Sequence, residues 1–245
     1  MLQHPTISKL QALRLNGMVK ALEQQAKTTD VNKLSFEERL GMLVDNEIID
    51  RENRKLTMLI KAANLKQAAC LEDLDFDLKR GIDKAVITNL SLCQWIKEHH
   101  NVFITGSTGC GKTYLACAIA NKVCQNGFSA LYLKVSKLFS NLTIARQDGS
   151  YKQILAKLAK IKVLILDDFG LVKPNYDNTQ DLLEIIDDRY DTGSLIITSQ
   201  LPSNEWYGVL ENLTLADAIL DRIIHRAYNL KLKGETKRKN KYKQN

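Results

Sequence analysis

The sequence predicts an α/β fold, a parallel sheet with helices on both faces, preceded by a small all-α N-terminal domain. Three observations carry this. From Asn101 onward, short apolar runs alternate with longer stretches of helical period. One glycine-rich loop, GSTGCGKT at Gly106–Thr113, separates the apolar run NVFIT from a helical stretch. Upstream, residues 1–68 hold apolar positions only at helical spacing.

The elements follow in order. In ISKLQALRLNGMVKALEQQAK, Leu10, Leu13, Met18, Val19 and Leu22 fall at near-helical spacing. Ser35 and Glu38 form a capping box ahead of a run from Phe36 to Ala63. That run carries Leu40, Leu43, Val44, Ile48, Leu56, Leu59 and Ile60 and no proline, so it reads as one long helix or two in series. A helical piece of this size buries little core by itself and is expected to offer a surface to a partner or another subunit. CLEDLDFDLKRGID is the joint, dividing a domain of residues 1–68 from one of residues 69–245. Then come strand Asn101–Thr105, the glycine loop, and a helix over Lys112–Gln125 ended by Gly127. SALYLKV is a second strand, and VSKLFSNLTIARQ and SYKQILAKLAKI are helices. KVLILDDFG is a third strand, DNTQDLLEIIDDRYDTG a helix and SLIITSQLP a fourth strand. TLADAILDRIIHRA is a helix with Thr214 as its expected cap, and NLKLK is a candidate last strand. No internal repeat is present.

The bulk composition excludes several classes. With 245 residues, 44% hydrophobic and 26% charged, the chain can bury a core and reads as a globular protein. No apolar run approaches the roughly 18 residues that cross a bilayer. The N-terminus lacks a charged-then-apolar leader, so no membrane and a cytoplasmic location are expected. Five cysteines without a C-x-x-C spacing argue against a metal or disulfide framework. Cys117 and Cys124 are read as small buried hydrophobes, and the adjacent His99 and His100 as a solvated loop. The net charge of +7 is concentrated at the C-terminus, where Lys231, Lys233, Lys237, Arg238, Lys239, Lys241 and Lys243 face only Glu235. Such a tail is either a solubility tail or a phosphate-binding arm.

The chemistry centres on the loop. A G-x-x-x-x-G-K-T sequence between strand and helix turns backbone N–H groups onto phosphate oxygens, and the helix dipole adds to the attraction. Gly106, Gly109 and Gly111 permit positive φ and close approach. Lys112 is expected to reach the β- and γ-phosphates of ATP and the Thr113 hydroxyl to bind Mg²⁺. Ser107, Thr108, Cys110 and Tyr114 complete the nucleotide-binding stretch. VLILDDF delivers Asp167 and Asp168 at the carboxyl end of a strand, where open α/β sheets bind ligands. Asp167 is placed to hold Mg²⁺, and Asp168 is a candidate base for the attacking water. SLIITSQLP offers Ser199 or Gln200 to orient water or sense the γ-phosphate, provided its strand lies beside the loop strand. In AILDRIIHRA, Arg222 sits at the flank of the apolar face. It either reaches into a neighbouring subunit to stabilise the transferred phosphoryl group or pairs with Asp221 or a nearby acid. Arg226, closer to the apolar face, is expected to pack or pair locally.

Together and in this order, these elements resemble the AAA+ P-loop NTPases. More narrowly, the chain resembles the IstB family, the ATP-dependent helpers of IstA/IstB-type insertion sequences, which is related to the DnaC/DnaI helicase loaders. LRLNGM, LSFEERL, IIDRENRKLTMLIKAA, LEDLDFDLKRGID, GSTGCGKTYLACAIANKVCQNG, VLILDDFG, IITSQLP and AILDRIIHRA carry the resemblance across nearly the whole chain. It implies Gln200 as a sensor, Arg222 as an arginine finger acting in trans, and Arg238 of GETKR as a second sensor arginine. Lys237 stands where an aromatic is common in the family, which leaves Arg238 open as a DNA contact instead. Most such proteins place Glu where this chain has Asp168, so hydrolysis is expected to be slow or dependent on DNA or assembly. The resemblance further implies a homo-oligomer on duplex DNA that helps an IstA-like transposase choose and use its target. The DNA contacts expected on this basis are Lys134, Lys137, Arg146, Lys152, Lys237 and Lys239. Three other readings are a helicase loader on single-stranded DNA, a small-molecule kinase, and a scaffold that binds ATP and barely turns it over.

Overall fold

The structure, a computed structural model, describes residues 5–28, 33–74, 81–210 and 212–234. The chain divides into two compact units, Met1–Met58 and Leu59–Asn245.

The first unit is helical. The single helical pattern of its opening residues is realised as two helices, α1 (Pro5–Ala12) and α2 (Asn16–Gln25). The break comes at Arg14, which takes φ +60°, while the Leu15 amide closes onto Leu10 O at 2.9 Å. The amides at the start of α2 find their acceptor in Glu47 of α3 (Phe36–Ala63), whose Oε2 takes Gly17 N at 2.7 Å and Met18 N at 3.3 Å. Gly17 is required there, since a Cβ would lie 2.5 Å from Asn46 O. Burial by itself would raise the Glu47 pKa. The Arg51 ion pair and the two amides outweigh it and hold the carboxyl below the usual range. The capping box forms as expected, with Ser35 N on Glu38 Oε2 at 2.7 Å and Glu38 N on Ser35 Oγ at 3.2 Å. The proline-free run is one helix of 28 residues, carrying i,i+4 pairs Glu47–Arg51 and Asp50–Arg54.

The second unit is a five-stranded, all-parallel sheet. Its strands are β1 (Asn101–Thr105), β2 (Ala130–Lys134), β3 (Val163–Phe169), β4 (Ser194–Ser199) and β5 (Ala227–Lys231), in the order β2-β3-β4-β1-β5. The helices are α4 (Lys84–Ser91), α5 (Gln94–Lys97), α6 (Lys112–Gln125), α7 (Val135–Asp148), α8 (Tyr151–Lys160), α9 (Tyr176–Arg189) and α10 (Leu213–Ile224). Strands covered on both faces must be apolar throughout, which is why β3 and β4 read as unbroken runs rather than alternating ones. Phe103, Leu164, Leu166, Leu195 and Ile197 pack with residues of α7 to α10 in one cluster. The alternate set, Val102, Ile104, Val163, Ile165 and Ile196, is fully buried on the opposite face. Helix α6, which touches β1 to β4 and lies outside that cluster, covers it. Trp206 fills the cluster between Phe103 and Phe169, with ring centroids 4.8 and 4.7 Å away.

One cap differs from expectation. Helix α10 starts at Leu213 and is capped by Asn212, whose Oδ1 accepts Leu215 N at 3.0 Å. Asn212 has the extended backbone a cap needs, whereas Thr214 already lies in the first turn. Strand β4 lies between β1 and β3, so the end of SLIITS stands beside the glycine loop.

Candidate nucleotide site

Strand β1 ends at Thr105 and α6 begins at Lys112, so the glycine loop is a strand-to-helix turn at the carboxyl ends of the strands. Gly106, Gly109 and Gly111 have φ of +147°, +83° and +105°, backbone that side chains rarely adopt. At Gly106 a Cβ would also lie 2.4 Å from Leu232 O, so this position tolerates no side chain. Ser107 and Thr108 are exposed, Cys110 is buried and Tyr114 is half-buried. Lys112 is only 7% exposed, and its ammonium donates to Gly106 O at 2.7 Å and Ser107 O at 2.8 Å. The lysine is thereby held inside the curl of the loop, the position that suits neutralising a phosphate.

Strand β3 carries Asp167 into the same place, wholly buried. Its Oδ1 accepts the Thr113 hydroxyl at 2.9 Å and the Thr198 hydroxyl at 2.6 Å. Its Oδ2 accepts the Tyr132 hydroxyl at 2.5 Å and has the Lys66 ammonium 3.8 Å away. Burial, with the hydrogen bond to Asp167 second, pushes the Tyr132 pKa far up, so the phenol stays a donor. The set is all oxygen: a carboxylate and, 2.9 Å from it, a hydroxyl on the loop helix. This suits a small hard cation such as Mg²⁺. Among the described residues no group of three or more His, Cys, Asp or Glu side chains could hold a metal by itself. A cation here would share its shell with phosphate oxygens and water, as Mg²⁺ does in phosphoryl-transfer sites.

Asp168 adopts a left-handed backbone, φ +61°, at a register shift between Leu166 and Phe169. The bulge turns successive side chains toward the same end of the sheet. Its amide donates to Thr198 Oγ1 at 3.1 Å, so one hydroxyl ties both aspartates. Its carboxylate pairs with Lys134 at 2.9 Å, and that hydrogen bond first, then the charge, raises the lysine's pKa. Ser199 is buried and donates to Phe169 O at 2.8 Å, while Gln200 is exposed one residue beyond β4.

Arg222 lies elsewhere. It lines a cavity with Asn101 and Leu195, at the starts of β1 and β4, the opposite end of the sheet from the glycine loop. Its acid partner is Asp187 of α9 rather than Asp221, which pairs with His225 at 2.9 Å. Arg226 pairs locally, with Asp191 at 3.1 Å. Two expected DNA contacts are engaged otherwise. Lys134 is bound to Asp168, and Arg146 is bound to the buried Asp181 while stacking over Tyr151 at 4.2 Å. Lys137 and Lys152 are exposed and carry no ion pair among the described residues. Lys237, Arg238 and Lys239 lie outside the described residues. The cysteines are free, and Cys117 and Cys124 are buried, with burial raising both thiols. His99 and His100 are half-buried rather than solvated.

Sequence reading passed over Thr198, Tyr132 and Lys66. A hydroxyl inside the apolar run LIITS was the available signal for Thr198, and the phenol in ALYLK for Tyr132. Nothing local marks Lys66.

The pattern of the IstB-like ATP binding protein family matches residues 8–245. The chain belongs to that family. This IstB-like chain is 43% identical over 240 residues to a putative insertion sequence ATP-binding protein, y4pL, of Sinorhizobium fredii, covering 98% of each chain. It is 49% identical over 205 residues to the putative ATP-binding protein of insertion sequence IS1162 from Pseudomonas fluorescens, covering 83% of this chain and 88% of that one. Among solved structures it is similar to DnaI, with a TM-score of 0.57 and 27% identity over 67% of this chain and 90% of that one. A DnaC helicase loader shares the fold, with a TM-score of 0.54 at 20% identity over 71% of this chain and 98% of that one. The IstB-like chain is thus an AAA+ ATPase by family and by fold. Among its described residues no helix is long and apolar enough to cross a membrane.

Proposed function

We propose that this chain is an Mg²⁺-dependent ATPase that oligomerises on duplex DNA in a prokaryotic cytoplasm and helps the transposase of its insertion sequence use target DNA. The observation that carries this reading is the split of the catalytic groups between the two ends of the sheet. Lys112, Thr113, Asp167 and Asp168 gather at the carboxyl ends. Arg222 stands at the amino ends, with Asn101 and Leu195, and cannot reach its own glycine loop. An arginine so placed supports a role at a neighbour's nucleotide rather than at its own.

In this reading the loop amides and Lys112 bind the phosphates of ATP, with Ser107, Thr108, Cys110 and Tyr114 lining the nucleotide. Thr113 and Asp167 would hold Mg²⁺, which when bound neutralises charge on the β- and γ-phosphates. Tyr132 and Thr198 fix the Asp167 carboxylate by donating to both of its oxygens. Asp168 takes a proton from the attacking water, Gln200 orients that water, and the products are ADP and phosphate. The ion pair with Lys134 must open first, which supports slow turnover until DNA or assembly displaces the lysine. Lys137 and Lys152, with the C-terminal Lys237, Arg238 and Lys239, remain the candidates for phosphate-backbone contact. The relatives named for insertion sequences support transposition as the setting.

A second reading, a loader acting on single-stranded DNA, is favoured by the likeness to DnaI. Light scattering separates the two. The protein would be weighed alone, with ATP, and with ATP plus duplex or single-stranded DNA, beside Lys112→Ala. A large assembly with ATP and duplex, absent in Lys112→Ala, is the expected result. Assembly on single strands alone would favour the loader, and a monomer throughout would remove Arg222 from the mechanism.

A further inference from the structure

Residues 64–72 follow α3 and form a strap along α6. Asn64 ends the helix with a left-handed φ of +48°. The amides of Lys66 and Gln67 then hydrogen-bond the Cys117 sulfur. Asn121 donates to Ala69 O at 2.9 Å, and Lys122 pairs with Glu72 at 3.3 Å. Ala69 and Leu71 are buried. Cys117, Asn121 and Lys122 all belong to α6, the helix that opens with Lys112 and Thr113. The strap therefore rests on the element that presents the phosphate loop.

From this strap Lys66 extends to Asp167. Its ammonium lies 3.8 Å from Oδ2, and no other ion pair to that carboxylate occurs among the described residues. Lys112 is turned onto loop carbonyls and Lys134 onto Asp168. A wholly buried carboxylate needs compensating positive charge, and hydroxyl donors satisfy its lone pairs without supplying any. The Lys66 side chain is 49% exposed, so its ammonium can swing into solvent once another cation takes its place beside Asp167.

We propose that Lys66 is a positioning residue that balances Asp167 and competes with the nucleotide's divalent cation for it, so that filling the metal site releases Lys66 and loosens the strap. This rests on the Mg²⁺–ATP reading above. It makes residues 64–72 a reporter of the metal–nucleotide state.

The test uses the full chain, a non-hydrolysable ATP analogue and Mn²⁺ as a paramagnetic stand-in for Mg²⁺. Wild type, Lys66→Met and Lys66→Arg are compared for Mn²⁺ affinity and for amide hydrogen exchange over residues 64–70. The contact is long, at 3.8 Å, and its lysine half-exposed, so Lys66→Met should bind Mn²⁺ about two- to five-fold more tightly, with Lys66→Arg close to wild type. Adding Mn²⁺ should speed exchange in the wild-type strap and leave the Lys66→Met strap unchanged. Equal Mn²⁺ affinity in wild type and Lys66→Met would overturn the competition. Weaker binding in Lys66→Met would overturn it too, by making Lys66 a phosphate ligand. A wild type that binds the analogue but no Mn²⁺ would defeat the metal reading itself, before any variant is compared.

Discussion

At the carboxyl ends of the strands the buried charge is Asp167, and its partners are three hydroxyls and a half-exposed lysine. At the amino ends the buried charge is Arg189, 2% exposed, and its partners are four backbone carbonyls. It donates to Leu158 O and Ile161 O at 2.7 Å, Ser194 O at 2.8 Å and Lys162 O at 3.3 Å. Burial lowers the Arg189 pKa to about 10, which still leaves it charged at neutral pH. Hydroxyls rotate and a lysine can leave, so the Asp167 end can exchange one partner for another. Backbone carbonyls cannot leave without unfolding, so the Arg189 end is fixed. Arg222 lines the same cavity as Arg189 and is thereby mounted on the rigid end. One end has partners that can be exchanged; the other has partners that cannot.

The largest expected effect tests that assignment. Arg222→Ala should lower assembled turnover by about 10³-fold, the usual worth of an arginine finger, with nucleotide affinity unchanged. Mixing Arg222→Ala with Asp168→Asn protein should restore turnover, because an intact Asp168 in one subunit then meets an intact Arg222 from the next. A dead mixture would return Arg222 to a local role beside Asp187. Next in size is Arg189→Met. It strands several buried carbonyls, each worth about 1–3 kcal/mol when unsatisfied, so urea unfolding should show a loss of about 3 kcal/mol or more. A smaller loss would mean that the amino end is not rigid for the reason given.

The same contrast governs what could be read in advance. The glycine loop, β3 and β4 were legible because their signals are local: glycine spacing and unbroken apolar runs. Helices α4 and α5 were not, since they have 8 and 4 residues and are separated by Cys93 at φ +57°. The partners of Asp167 were not legible either. Thr198 reaches it only because β4 sits beside β3, and Tyr132 only because β2 does. Lys134 looked like a free cation after a strand. Its register opposite Asp167, one residue from Asp168, gives it an acid instead. Arg189 offered no hint of burial, because a helix-end arginine is ordinarily solvated.

A smaller effect separates the two lysines that once seemed alike. Lys134→Ala should raise turnover without DNA by about two- to five-fold, the scale of a solvent-screened, half-buried ion pair. Lys137→Glu should weaken duplex binding and leave that basal rate alone. If both variants change only DNA affinity, the Lys134–Asp168 pair is not what restrains hydrolysis.

The smallest effect concerns why the second acid is aspartate. Asp168 sits at φ +61°, where Asp and Asn are several-fold enriched over longer side chains because a short polar group can bond locally. The bulge that produces this backbone also keeps Asp167 and Asp168 together through Thr198. Asp168→Glu would give the carboxylate more reach at the expense of the bulge. It should lower the unfolding free energy by less than about 1 kcal/mol, seen as a lower urea midpoint at unchanged m, while Asp168→Asn leaves the midpoint where it is. Equal midpoints for Glu and Asp would mean that the left-handed backbone does not choose between them, and that the shorter acid is set by its distance to Lys134 instead.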